Sequence, residues 1–179
     1  MQNPTTPPPP QPIRRNTMVR MPEFTFKRAT ESDRTYLLRL NYLTEVFGDE
    51  TAAMAEDSLS GVAPYIDNWD PERDGGIIAF DEFRTPAGGT WLRYWEKPTD
   101  GYANVAPNVP ELAIAVENRF AGNRLAARLL EAVAELAREQ GAPQLALWVD
   151  PNNPRARHRY EAFGFRDYPD AENVMVLDI

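Results

Sequence analysis

One phenol, one amide and one carboxylate stand at positions that suit proton transfer or ligand binding. Asn153, Tyr160 and the pair Gly164-Phe165 lie close together, and Glu111 begins an alternating apolar run earlier in the chain. A phenol with its ordinary pKa of about 10 stays protonated at neutral pH and can donate a proton. The Asn153 amide offers both donors and an acceptor. Each residue has a structural alternative: core packing for Tyr160, a helix cap for Asn153, and a solvated strand end for Glu111.

Other reactive groups are scarce in this sequence. The chain contains no cysteine and a single histidine, His158. Disulfides and thiol catalysis are therefore excluded, and a dedicated zinc site is not expected. Because His158 lies between two arginines on a short predicted helix, we expect it to be exposed rather than to act as a general base.

The region from 111 to 140 reads as a strand, a tight turn and a long helix. Leu112, Ile114 and Val116 alternate with smaller residues, which is typical of a strand, and Gly122 supplies a flexible backbone at the turn. From position 125 the apolar residues recur with helical spacing, which predicts a helix over 123–140. A helix that begins directly after a glycine turn offers unpaired N–H groups to an anion such as a pyrophosphate. The alternative is that this unit binds nothing, as in many α/β proteins.

A second strand–loop–helix unit follows, with a strand predicted over 145–149 and a helix over 155–163. Together the two units resemble those of the GCN5-related N-acetyltransferase (GNAT) superfamily. The first unit of that family has Val, four residues, Arg or Gln, two residues, Gly, one residue, and Gly or Ala. The second has Asn, two residues, Ala, three residues, Tyr, three residues, and Gly-Phe. The residues at these positions are Val116, Ala121, Arg124 and Ala126 for the first, and Asn153, Ala156, Tyr160, Gly164 and Phe165 for the second.

The resemblance implies a GNAT fold, which is an α+β (mixed α/β) architecture with a mixed, mostly antiparallel sheet flanked by helices. It implies transfer of an acetyl group from acetyl-CoA to a primary amine, without a metal. Tyr160 would protonate the leaving thiolate, and Glu111 would act as general base directly or through water. The resemblance places the cofactor against the strand backbone, the turn and the second loop, at Ile114, Ala115, Val116, Ala121, Gly122, Asn123, Arg124, Leu125, Ala126 and Asn153.

Two positions depart from the family pattern. Ala121 replaces the usual Arg or Gln, and Arg124 replaces an inner glycine. Backbone amides need no particular side chain, so Ala121 is tolerable. The Arg124 side chain would either obstruct the phosphates or grip them with its guanidinium. A weakened phosphate loop motivates a rival hypothesis, a non-catalytic acyl-CoA-binding or regulatory module.

The charge distribution indicates which classes of binding partner to expect. A net charge of −8 argues against a nucleic-acid binder. Residues 119–166 nevertheless carry more arginines than acids, which suits an anionic cofactor. Arg119 and Arg128 can reach the same phosphates, although a solvated role is the simpler expectation for each.

No apolar run long enough to span a bilayer and no secretory leader is evident, so we expect no membrane partner and a cytoplasmic location. The resemblance also allows a homodimer.

The resemblance implies that the first two helices and the neighbouring loops build the acceptor pocket. Its aromatic candidates also suit a core: Tyr36, Tyr42, Phe47, Tyr65, Trp69 and Tyr102. Its acidic candidates for attracting an ammonium group also suit a solvated face: Asp49, Glu50, Glu56 and Asp57. The elements predicted here are a strand over 24–28, a helix with an apolar face over 36–47 capped by Thr30 or Ser32, an acid-rich helix around 51–59, and strands over 76–83 and 90–97 joined by a turn at 85–89.

The chain divides into a proline-rich tail over 1–22 and a domain over 23–179. Because proline fixes the backbone and lacks an N–H donor, we expect the tail to be disordered and extended. A third hypothesis is an interaction protein whose tail docks a partner. Two short strands over 165–168 and 174–177 are predicted to complete the domain.

Overall fold

The computed structural model describes residues 22–53 and 61–179, where strands and helices are interleaved. Most of the tail predicted over 1–22, and most of the acid-rich helix predicted around 51–59, lie outside these residues. The described strands are β1 (Thr25–Arg28), β2 (Gly76–Phe80), β3 (Pro86–Arg93), β4 (Glu111–Val116), β5 (Gln144–Trp148), β6 (Arg166–Asp167) and β7 (Val174–Asp178). The described α-helices are α1 (Arg34–Glu45), α2 (Pro64–Asp67), α3 (Leu125–Glu139) and α4 (Pro154–Phe163). The predicted mixed α and β class is confirmed.

The strands form one sheet in the order β1-β2-β3-β4-β5-β7-β6. All neighbours are antiparallel except β4 and β5, which are parallel. The β3–β4 ladder runs from Gly88 opposite Val116 to Arg93 opposite Glu111. The β4–β5 ladder is limited to Glu111 opposite Ala146. The predicted mixed, mostly antiparallel sheet is therefore confirmed, and it opens between its two parallel strands.

Helices pack on both faces of the sheet. Successive β4 side chains point to opposite faces, and both faces carry apolar side chains that need to be covered. Leu112 packs in a core with the apolar stripe of α3, whereas Ala115 packs in a second core with α1. The α3 stripe contributes fully buried leucines, each worth about 1.5–3 kcal/mol of transfer free energy. The two cores therefore pack against both faces of β4, the strand that ends at Val116, where the first sequence motif begins.

The predicted hairpin is wrong in register. The turn occupies 81–85, where the Asp81 carboxylate accepts backbone N–H bonds from Phe83 and Thr85 at 2.9 and 2.7 Å. The glycines assigned to the turn lie inside β3 instead. At Gly89 a β-carbon would lie 2.8 Å from Leu40 Cδ1, so glycine is needed where α1 packs directly on the sheet. The other predicted boundaries shift by smaller amounts. Thr30, and not Ser32, forms the capping box ahead of α1, together with Asp33.

A buried ion pair joins the loop before β2 to the end of β3. Asp74 is fully buried and accepts bonds from the guanidinium of Arg93, which is 3% exposed, and from the Tyr94 N–H at 3.0 Å. The same carboxylate accepts the Asp70 N–H at 2.9 Å and a bond from Arg73. All of these bonds end on the Asp74 carboxylate. Removing it would leave the buried Arg93 guanidinium without its counter-charge.

We therefore expect Asp74→Ala to lower the free energy of unfolding by about 3–5 kcal/mol, the usual cost of breaking a buried pair. Glu96→Ala is the matched control, since it removes an exposed partner of Arg73 and should change stability by less than about 1 kcal/mol. Urea unfolding of both variants measures the difference. Equal stabilities would show that Asp74 does not anchor the loop.

Candidate active site

A cavity of about 550 Å³ occupies the opening between β4 and β5. Its walls come from the length of β4, the turn and first residues of α3, the end of β5 with α4, the C-terminal half of α1, and three residues outside these elements, Val62, Tyr65 and Tyr102. Because β4 and β5 separate after one paired position, the backbone edge of β4 over 112–116 faces this space instead of a neighbouring strand. An extended ligand can therefore lie along β4.

One end of the cavity is suited to an anion. In the described structure no side chain caps α3, and the first intrahelical bond runs from Arg128 N to the Arg124 carbonyl at 3.3 Å. The amides of the first helical turn are thus left for a ligand, at the positive end of the helix dipole. Arg155 and Arg159 of α4 line the same cavity.

Arg124 takes the left-handed backbone conformation, with φ of 57°. This conformation suits glycine and costs other residues about 1–2 kcal/mol, which accounts for the glycine usual at this position. The Arg124 side chain is exposed and borders the cavity. Arg119 and Arg128 lie outside the lining and stack on aromatic rings, Arg119 on Phe120 at 5.1 Å and Arg128 on Phe26 at 4.7 Å.

Tyr160 packs in the core and also borders the cavity. Its ring packs edge-on against Phe165 at 5.8 Å in the α3 core, and the residue also lines the cavity. Burial raises the pKa of its phenol to about 12, so the hydroxyl is a proton donor at neutral pH. Asn153 is the cap of α4, because its side-chain oxygen accepts the Ala156 N–H at 3.1 Å, and it too borders the cavity.

Glu111 is not the solvated strand end that the sequence allowed. It is 2% exposed, at the cavity wall, and its carboxylate accepts bonds from the Tyr65 hydroxyl and from Trp95 Nε1, the latter at 2.7 Å. Burial raises the pKa of this carboxyl, although these donors and the backbone N–H of Ala103 act in the opposite direction. A glutamate held this way can accept a proton more readily than an exposed one.

The remaining wall is acidic and aromatic. Burial raises the pKa of Glu45, and the charge of Asp150, which also lines the cavity, adds to the effect. Phe47, Tyr102 and Trp148 are exposed large side chains that line the cavity. Such a wall suits a cation with an apolar body.

A family model described as the acetyltransferase (GNAT) family matches residues 40–165. The chain belongs to the GNAT acetyltransferase family. The resemblance is thereby confirmed, and both motifs lie within the matched residues.

Relatives and solved structures agree with this family. The mycothiol acetyltransferase of Propionibacterium freudenreichii subsp. shermanii is 31% identical over 136 residues, which cover 75% of this chain and 40% of that protein. The chain thus spans less than half of that relative. A GNAT-family acetyltransferase of Staphylococcus aureus Mu50 superposes with a TM-score of 0.64 at 14% identity, covering 87% and 99% of the two chains. The PaiA N-acetyltransferase of Thermoplasma acidophilum, in complex with coenzyme A, gives 0.61 at 14% identity, covering 88% and 99%. These two structures support the fold alone.

The cavity fits the acetyl-CoA that GNAT enzymes use. A diphosphate requires N–H donors and room for its oxygens, and the start of α3 offers both. Gly122 is exposed, and a β-carbon built there would meet nothing within 4 Å.

Among the described residues, no group of three or more acidic or histidine side chains is placed to hold a metal ion. None of the described helices is both long and apolar enough to cross a membrane.

The structure brings most of the sequence-predicted GNAT site residues together. Of the predicted cofactor contacts, only Asn123 lies outside the lining, and its side chain donates to the Phe120 carbonyl at 3.1 Å. His158 is exposed, as expected. Three of the six aromatic candidates line the cavity (Phe47, Tyr65 and Tyr102), whereas Trp69, Tyr36 and Tyr42 pack in the α1 core.

The acidic candidates for the acceptor pocket lie elsewhere. Asp49 accepts the Thr51 N–H at 2.9 Å, and Glu50 pairs with Arg39 at 3.2 Å. Glu56 and Asp57 lie outside the described residues. Sequence reasoning missed Glu45, Asp150, Arg155 and Arg159. The two arginines were detectable, since they are four residues apart on the helix between Asn153 and Tyr160.

Two buried glutamates, one on β4 and one directly after it, have environments that shift their pKa values in opposite directions. Burial raises the pKa of Glu111, whereas bonds from Arg39 at 2.9 and 2.7 Å lower the pKa of Glu117. As pH rises, we expect Glu117 to ionise first and Glu111 to remain protonated above the ordinary glutamate pKa of 4.5. Carbon-13 NMR of the two side-chain carboxyls, assigned with Gln variants, measures both. The reverse order would contradict the assigned contacts.

Proposed function

We propose that this protein transfers an acetyl group from acetyl-CoA to a primary amine by direct attack. The observation that carries the proposal is one cavity lined by two unlike kinds of group. Arginines and the first residues of α3 line it, and so do carboxylates and aromatic rings. An anionic donor and a cationic acceptor can therefore occupy the same space without competing for the same groups.

The donor would be held mainly by backbone. The amides over 122–127 would hold the diphosphate, with Arg124 gripping a phosphate oxygen. The exposed edge of β4 over 114–116 would pair with the pantetheine arm, and Asn153 would contact the same arm. An N–H group of that edge would stabilise the oxyanion that forms on the acetyl carbonyl.

Two side chains would move protons. Acetyl-CoA supplies the activated acetyl thioester. Glu111 would accept the proton that the ammonium must lose before its nitrogen can attack, and its raised pKa suits that task. Tyr160 would donate its phenolic proton to the sulfur as the thiolate leaves, since its own pKa keeps it protonated.

A primary amine is the acceptor class that the acidic wall favours. Protonated amines are cations at neutral pH, and Glu45, Asp150 and Glu111 all border the cavity. The aromatic side chains beside them would stabilise the same cation and pack against its carbon skeleton. The mycothiol acetyltransferase relative supports acyl transfer as the reaction class.

The alternative is a non-catalytic acyl-CoA-binding or regulatory module, which the altered residues at 121 and 124 motivate. Both hypotheses predict binding of acetyl-CoA, and turnover separates them. Release of CoA thiol should be measured with a panel of 2-phenylethylamine, spermidine, glucosamine and an unblocked tripeptide. Calorimetry with acetyl-CoA supplies the binding measurement. No binding at high micromolar concentration would overturn both hypotheses, and binding without turnover would favour the module.

Tyr160→Phe removes only the proposed proton donor. We expect the turnover number to fall by about 100-fold or more, in the range usual for loss of an acid catalyst, while acetyl-CoA still binds. Tyr168→Phe, which removes a phenol outside the cavity lining, should keep the wild-type rate. Wild-type turnover by Tyr160→Phe would exclude it as the acid.

A further inference from the structure

We propose that the Tyr65 hydroxyl relays the proton of the acceptor amine to Glu111. The inference rests on the proposed acetyl transfer and adds a catalytic residue to it. Tyr65 lies on α2, far from both sequence motifs, and the motifs assign it no role. Its position beside Glu111 at the cavity wall is the reason for the assignment.

The two side-chain donors to Glu111 lie on a cavity side and a far side. Tyr65 donates to Oε1, and both residues line the cavity. Trp95 donates to Oε2, but it borders a different depression, next to Asn68 and Arg93. A proton that enters from the cavity therefore reaches Glu111 Oε1 through the Tyr65 hydroxyl. The other oxygen, Oε2, is occupied by the Trp95 N–H.

The phenol has the bonding capacity that a relay needs. A tyrosine hydroxyl carries one donor and two acceptor positions. Its donor goes to Glu111, and one acceptor position takes the Tyr102 N–H at 3.1 Å. One acceptor position remains for an N–H of the amine. Burial raises the pKa of Tyr65, and the adjacent Glu111 adds to the effect, so a free tyrosinate is unfavourable and the two transfers must be concerted.

The step conserves every proton. An N–H bond of the ammonium breaks as an O–H bond forms on Tyr65, and the original Tyr65 O–H bond breaks as an O–H bond forms on Glu111. The amine is left neutral with its lone pair available for attack. Tyr65 returns to the same neutral form, and Glu111 carries the proton.

Close packing holds the relay in place. The Tyr65 ring stands edge-on to Trp95 at 5.0 Å and stacks on Tyr102 at 6.1 Å. Gly101 passes so close that a β-carbon there would lie 2.2 Å from Trp95 Nε1 and 2.5 Å from Glu111 Oε2. The Tyr65–Glu111 bond is therefore fixed before an acceptor arrives.

The test compares Tyr65→Phe with Trp95→Phe, because each removes one donor to Glu111 and keeps an aromatic ring. Loss of either donor should raise the Glu111 pKa, so the acid limb of the rate profile should move to higher pH in both variants. The two should differ on the plateau above that limb. There Tyr65→Phe should be slower than the wild type by about 100-fold, whereas Trp95→Phe, which loosens Glu111 but keeps the relay hydroxyl, should be slower by about tenfold at most.

The rates are measured with acetyl-CoA and each panel amine that the wild-type protein acetylates. Equal plateaus in the two variants would overturn the relay and leave the acetyl transfer standing. No acetylation of any panel amine by the wild type would instead refute the proposed function. Should Tyr65→Phe unfold, 3-fluorotyrosine at position 65 keeps the hydrogen bonds with a more acidic phenol. A changed plateau rate supports the relay, and an unchanged one contradicts it.

Discussion

The site depends on the early end of pairing between β4 and β5. These parallel strands share one paired position, Glu111 with Ala146, and the Ala146 N–H bonds the Pro110 carbonyl at 3.0 Å just before it. Beyond that point no described strand pairs with the β4 edge that faces β5, and this is where the cavity lies. A fully paired sheet would bury those backbone groups and leave no place for an extended ligand.

Two buried carboxylates hold this opened strand in position. Glu111 begins β4 and joins it to Tyr65 and Trp95, while Glu117 follows β4 and joins it to Arg39 of α1. Since a buried carboxylate without donors is costly, each contact restrains the element that supplies it. The same residues thus stabilise the fold and set the protonation of the site. Burial leaves Glu111 able to accept a proton, and the Arg39 pair keeps Glu117 ionised.

The sequence predicts the second motif, β4, α3 and the class of fold because these depend on local signals. Alternation in 111–116, the stripe from Leu125 and the spacing of Asn153 and Tyr160 are visible in the chain itself. The errors come from tertiary contacts. Gly89 resembles a turn residue, yet glycine is required there because Leu40 approaches the strand. Glu111 resembles a solvated strand end, yet residues 46 and 16 positions away enclose it. Nothing local marks Glu45 as part of the cavity.

The most direct test of the opened sheet as the donor site is an amide NMR titration with CoA, with ADP and pantetheine as separate probes. We expect ADP to perturb the amides over 122–127, pantetheine to perturb those over 114–116, and CoA to perturb both sets. Arg124→Ala should weaken the response to ADP, whereas Arg138→Ala at the other end of α3 should not. Unchanged amides in both segments at saturating CoA, or perturbations confined to other parts of the protein, would contradict the account.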